Sequence, residues 1–117
     1  MTKECKEWFD PLLPQDKRKV NAVIDRLKEK GPRLGRPHAD TLKSSKISNL
    51  KELITSTNTA EYRILYAFDP KRTAVLLVGG SKIKRGTSKL WYSRMIPIAE
   101  RLFAEHLENL KRKDNKS

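Results

Sequence analysis

A chain of 117 residues and 13.5 kDa has room for one modest core and not for two, so a single domain is expected over residues 1–112. Lys and Arg number 26 against 14 Asp and Glu, a formal charge of +12, and such a field attracts nucleic acid or an acidic partner before any specific contact forms. The lone cysteine, Cys5, excludes an intrachain disulfide and a cysteine-based metal site, and no apolar run reaches membrane-spanning length, so no membrane role and a cytoplasmic location are expected.

The elements follow in chain order. Lys3 to Leu13 reads as a short helix with Trp8, Phe9, Leu12 and Leu13 on its apolar side, interrupted around Pro11 and Pro14. Gln15 to Lys30 is a second helix, because Val20, Val23, Ile24 and Leu27 recur at helical spacing and Gly31-Pro32 stops it. The two are expected to form a hairpin over one sheet face. Gly31 to Ser48, punctuated by Gly31, Pro32, Gly35 and Pro37, reads as a loop with one short strand near Asp40 to Lys43.

Leu50 to Thr55, Glu61 to Asp69 and Thr73 to Gly79 are strand candidates, rich in aliphatic, aromatic and β-branched residues. Asp69-Pro70-Lys71-Arg72 has turn chemistry, since proline pre-sets the backbone of a turn's second position. Leu90 to Lys111 is the last helix, with Ile98, Ala99, Leu102, Phe103, Leu107 and Leu110 forming a broad apolar stripe, and residues 113–117 are expected to be a disordered charged tail.

Side chains alternate across a strand, so Tyr62, Ile64, Tyr66 and Phe68 share one face with Leu53, and Arg63 and Glu52 share the other. A hairpin that pairs Ile54 with Glu61 sets Glu52 opposite Arg63 and Leu50 opposite Leu65. The Tyr62 face is then core under the helices, and the Arg63 face is expected to be open and polar. Positive charge is unevenly distributed along the chain: Lys71, Arg72, Lys82, Lys84, Arg85, Lys89 and Arg94 fall between Pro70 and Ala99 with no carboxylate among them. Between Gly31 and Lys51, Arg33, Arg36, Lys43, Lys46 and Lys51 face Asp40 alone.

The ordered blocks GPRLGRPHADTLKSSKISNLKEL, YRILYAFDPKR, AVLLVGG, WY, IPIAERL and EHL resemble the RelE/ParE superfamily of toxin–antitoxin toxins, on its HigB-like, phage-derived branch, over Leu12 to Leu110. The resemblance implies an α+β, RelE-like fold: an N-terminal helical hairpin on a small, curved, mostly antiparallel sheet of three or four strands, with a C-terminal helix. It implies a type II toxin, an endoribonuclease that cleaves mRNA on the ribosome and so inhibits translation. It also implies a helix-turn-helix antitoxin as partner in a hetero-oligomer. A non-catalytic basic module that grips RNA or ribosomes, and a ParE-like inhibitor of DNA gyrase, are the alternatives.

RNA cleavage of this kind begins when the 2′-hydroxyl attacks the adjacent phosphorus in line. It needs a base for the 2′ proton, cations for the charge on phosphorus and an acid for the leaving oxygen, and no metal or cofactor. Arginine suits the second task because its planar fork binds two phosphate oxygens at once. Arg63, in the YRILY block, matches the family strand whose arginine binds the scissile phosphate; the bland reading is a cross-strand ion pair with Glu52. Lys82, after Gly79-Gly80, matches a region of catalytic cations or is a plain phosphate contact. Lys51, Lys84, Arg85 and Lys89 are candidate RNA contacts, with Lys51 on the opposite strand face and at the rim.

Tyr92 falls where several relatives place an aromatic that stacks on a base or donates a proton; the bland reading has Trp91 and Tyr92 capping the helix against the core. Glu52 is a candidate base, weakened if it is salt-bridged. His38 and His106 lie away from this constellation and read as structural. Two departures from the family pattern stand out. The strand that generally precedes the Trp8 helix in the family does not appear in this sequence, so either that strand is missing or the start is internal, and an exposed sheet edge is expected. Ile54 also stands where an arginine is expected, which removes one phosphate cation.

Overall fold

The computed structural model describes residues 1–47, 49–58, 60–82 and 88–114, with Lys82 and Ser88 described by their backbone alone. The order is α1 (Lys3–Phe9), α2 (Pro14–Lys30), a 3₁₀ turn (Gly31–Arg33), β1 (Ala39–Thr41), β2 (Lys51–Ser56), β3 (Glu61–Phe68), β4 (Ala74–Lys82) and α3 (Ser88–Asp114). The strands form one antiparallel sheet in the order β1-β2-β3-β4.

Local chemistry sets the helix ends. Thr2 caps α1: its hydroxyl accepts from the Cys5 N–H at 3.0 Å and donates to the Leu77 carbonyl at 2.6 Å, while its own N–H donates to the Leu76 carbonyl at 2.9 Å. The first residues therefore lie along the outer edge of β4. Pro14 opens α2, where its missing N–H costs nothing, and Gly31 closes it at φ 58°, donating to the Leu27 carbonyl. The last helix runs three residues beyond the expected Lys111, to Asp114.

The β2–β3 register corrects the expected one. Thr57 and Ala60 close a tighter turn, the Thr57 N–H donating to the Ala60 carbonyl at 2.8 Å, so Ser56 pairs with Glu61, Ile54 with Arg63 and Glu52 with Leu65. The shift is two residues, an even number, so every side chain keeps its expected face. A bulge between Leu65 and Tyr66 pairs these with Val78 and Leu76 and leaves Leu77 extra, the residue whose carbonyl Thr2 satisfies.

The Arg63 face is not the open surface expected. Cys5, Val20, Leu27, Leu53, Ile64 and Tyr66 form the core under α1 and α2, while Leu50, Leu65, Leu77, Ile96, Ala99 and Phe103 form a second core under α3 on the other face. Ile64 to Ala67 are therefore buried without a break, as in a strand covered on both sides. At the end near Arg63 that face keeps a cluster of polar side chains.

Two tyrosines in the first core differ in a way that stability can read. The Tyr62 hydroxyl donates to Asp16 Oδ2 at 2.8 Å, whereas the Tyr66 hydroxyl is buried with no hydrogen-bond partner among the described residues and burial pushes its pKa up to about 12. Tyr62→Phe is expected to lose about 1 kcal/mol in urea unfolding, and Tyr66→Phe to be neutral or stabilising by up to about 1 kcal/mol.

At the far end, Asp69 joins α3 to the β3–β4 turn. Its Oδ1 accepts from the Lys71 and Thr73 N–H groups at 2.9 and 3.0 Å, and Oδ2 lies 2.9 Å from His106 Nε2. Burial alone would raise the Asp69 pKa, but the bond to His106 and the two backbone bonds outweigh it and hold the carboxyl below its ordinary value. As pH falls the unfolded chain thus takes up this proton first, so the contribution is full above about pH 5 and lost as pH falls through the depressed pKa. The fall in urea midpoint between about pH 6 and about pH 3 is expected to shrink in Asp69→Asn.

Candidate functional site

Arg63 sits mid-strand on β3 with Ile54 of β2 and Gly80 of β4 directly beside it. Glu61, two residues earlier on the same strand, and Glu52, two residues from Ile54, fall on the same face. Arg63 Nη1 donates to Glu52 Oε1 at 3.2 Å and Nη2 to Glu61 Oε1 at 2.5 Å, while Nε is buried with no hydrogen-bond partner among the described residues. The three side chains are 13%, 9% and 25% exposed for Arg63, Glu52 and Glu61, so Glu61 forms the outer side of the cluster.

The first turns of α3 close the site from above. The Tyr92 hydroxyl donates to Glu52 Oε1 at 2.6 Å, the same oxygen that Arg63 holds. Burial, and then the neighbouring Glu52 carboxylate, push the Tyr92 pKa far above its ordinary value, so near neutrality it is a neutral phenol with a proton to give. Trp91 packs edge-on to Tyr92 with ring centroids 5.0 Å apart and lies against Gly80, where a Cβ would overlap its indole. Gly79 points to the opposite face and meets the Trp8 ring in the same way. The glycine pair lets two indoles approach the strand from its two sides.

A cleft of about 580 Å³ opens beside the cluster, lined by Glu52, Tyr92, Lys89, Lys46, Leu42 and Ile96 among others. Its loop wall is pinned to α3, because Glu100 Oε2 accepts from the Ser45 hydroxyl at 2.8 Å and the Lys46 N–H at 2.6 Å. The cleft is largely apolar, its lining includes the exposed cations Lys46 and Lys89, and it meets the Arg63 cluster through Glu52 and Tyr92, an arrangement that suits a stacked base with a phosphate nearby. Among the described residues no group of His, Cys, Asp and Glu is placed to hold a metal ion.

Of the residues singled out in the sequence, the structure brings Arg63, Glu52 and Tyr92 together and sets Lys89 at the cleft. Lys51 is elsewhere, on the α1–α2 face, with Nζ 3.4 Å from the Pro32 carbonyl and 6.0 Å from the Phe68 ring centroid. Lys82 is the register partner of Glu61, though its side chain, like Lys84 and Arg85 entirely, lies outside the described residues. His106 is tied to Asp69, and His38 contributes a backbone carbonyl to the Ile54 N–H. Sequence reasoning missed Glu61. The signal was present: Glu61 and Arg63 are two apart on a strand and so must share a face.

Fold and site together define a small, basic α+β protein whose central arginine is held by two carboxylates, one of them also bonded by a tyrosine, beside a cleft. The chain belongs to the family described as "Phage derived protein Gp49-like (DUF891)", which matches residues 7–104, and so to the HigB-like branch whose motif blocks it carries. Two relatives from Mycobacterium tuberculosis bear the toxin names HigB2 and HigB3. HigB2 is 44% identical over 101 residues, 86% of this chain and 49% of the relative. HigB3 is 42% identical over 97 residues, 83% of this chain and 82% of the relative. The chain thus spans about half the length of the first relative. No solved structure matches it.

Proposed function

We propose that this chain is the toxin of a type II toxin–antitoxin module, with a RelE-like fold, and that it cleaves mRNA on the ribosome without a metal ion. The observation that carries this reading is the Arg63 cluster: a guanidinium, a carboxylate and a neutral phenol held within one hydrogen-bonded unit, whose carboxylate and phenol line a cleft. Its fit to family membership, to the toxin names of the relatives and to the +12 charge supports the reading. The proposed partners are mRNA, the ribosome and a helix-turn-helix antitoxin that forms a hetero-oligomer with the toxin. No helix among the described residues is long and apolar enough to cross a membrane, which is compatible with work in the cytoplasm.

In this mechanism Arg63 takes a non-bridging oxygen of the scissile phosphate and offsets the charge that grows there. Glu52 receives the 2′ proton as the 2′-oxygen bonds to phosphorus, and Tyr92 gives its proton to the departing 5′-oxygen. The products are a 2′,3′-cyclic phosphate and a 5′-hydroxyl. Lys82, Lys84, Arg85 and Lys89 serve as further phosphate contacts, Lys82 as the first of them.

Ile54 favours a second reading, a basic RNA-binding protein without catalysis. It lies directly across from Arg63, where the resemblance expects an arginine, so among the described side chains the cluster holds two carboxylates against one cation. Purified protein added to translating ribosomes separates the two. The ribonuclease reading expects fragments ending in a cyclic phosphate and beginning with a 5′-hydroxyl. Intact mRNA at equimolar protein, with salt-sensitive binding, would establish the second reading instead.

A further inference from the structure

The guanidinium proposed to bind phosphate is already occupied in the free protein, and its two occupants are unequal. Glu52 is 9% exposed and is held twice, by Arg63 Nη1 and by the Tyr92 hydroxyl. Glu61 is 25% exposed and has no hydrogen-bond partner other than Arg63 Nη2 among the described residues. Nε is buried, so an incoming anion reaches Arg63 through its Nη groups, and the Nη2 side is the one Glu61 covers.

From this asymmetry we infer that Glu61 is a displaceable counter-ion that keeps Arg63 neutralised until an RNA phosphate takes its place. Carboxylate and phosphate are both anions whose oxygens accept from the planar fork of a guanidinium, so the exchange replaces one charge-assisted pair by another and leaves Glu52 on Tyr92. Without Glu61, Arg63 would face one carboxylate rather than two among the described side chains. The role of Glu61 is thus regulatory: it keeps the buried arginine compensated in the free protein and lowers its affinity for stray polyanions. The inference rests on Arg63 being the phosphate-binding group of the proposed ribonuclease.

The test is equilibrium binding of the full chain to a fluorescent, fully 2′-O-methylated RNA, which cannot be cleaved, at several salt concentrations. Glu61→Gln keeps the shape and removes the charge; it is expected to bind about tenfold tighter, with a salt slope close to the wild type's because the same phosphate contact forms in both. Glu105→Gln, paired with Arg101 on the exposed side of α3, controls for net charge and is expected to change affinity by less than about twofold. In an Arg63→Ala background the Glu61→Gln gain is expected to fall to the size of that control. Unchanged or weaker binding by Glu61→Gln, or a gain that persists without Arg63, would overturn the inference, as would absence of RNA binding by both proteins. A wild type that binds and responds to Glu61→Gln but leaves translated mRNA intact would instead refute the ribonuclease reading and keep the counter-ion.

Discussion

Arg63→Ala is expected to lower the rate of mRNA cleavage by at least about a hundredfold, because a positioned cation that meets developing charge in a transition state is worth about 3 kcal/mol. The same change leaves Glu52 and Glu61 facing each other across the vacated space, and Glu52 is nearly buried, so stability falls as well, by up to about 3 kcal/mol. Arg63→Lys separates these effects. It keeps the charge that the two carboxylates need and loses the planar fork, so it is expected to unfold close to the wild type in urea yet cleave at least about tenfold slower. Equal cleavage by a folded Arg63→Lys protein would show that the fork plays no part in the reaction.

Gly79→Ala and Gly80→Ala are each expected to cost about 1–3 kcal/mol, since a methyl group there overlaps the Trp8 or the Trp91 ring and neither indole can simply swing away from the strand. Their effects on activity should differ. Trp91 is joined edge-on to Tyr92, and Tyr92 holds Glu52, so displacement at Gly80 propagates into the site. Trp8 belongs to the other face and packs with Phe9 and Tyr62. Gly80→Ala, assayed at a temperature where it remains folded, is therefore expected to lose about tenfold in cleavage, and Gly79→Ala less than about threefold. Similar losses in both would mean that the indole over Gly80 does not position Tyr92.

The contrast between these glycines marks what a sequence can and cannot convey. Their tandem reads as the end of a strand, because glycine weakens strand propensity, and β4 was expected to stop at Gly79; it continues to Lys82 because two tryptophans, distant in sequence, need bare backbone to pack against. The faces of β2 and β3 were legible from alternation alone, and they survived a register error because the error was even. The turn that sets the true register is closed by the backbone bond from Thr57 to Ala60 and by the Thr57 hydroxyl, which accepts from the Ala60 N–H, and threonine's preference for such a turn is weak in isolation.

The site was legible in its parts and not in its assembly. Arg63, Glu52 and Tyr92 were each marked by motif or by strand alternation, but only the placement of α3 across the Arg63 face converts an expected open surface into a cleft with a phenol at its end. That placement follows from Ile96, Ala99, Leu102 and Phe103 covering Leu65 and Leu77, a long-range match that helical periodicity signals without naming the partner surface. Glu61 is readable from period-two spacing as a neighbour of Arg63 on the same face, but spacing alone does not show that it bonds the guanidinium.

The most direct test of the ribonuclease reading is a transcriptome-wide map of mRNA 5′ ends after brief induction of this chain in bacteria, with Arg63→Lys induced to the same level beside it. New 5′-hydroxyl ends inside translated codons, at least about tenfold depleted with Arg63→Lys, are the predicted result. Folded, soluble wild type at full level with no new ends, or with the same ends from Arg63→Lys, would contradict it.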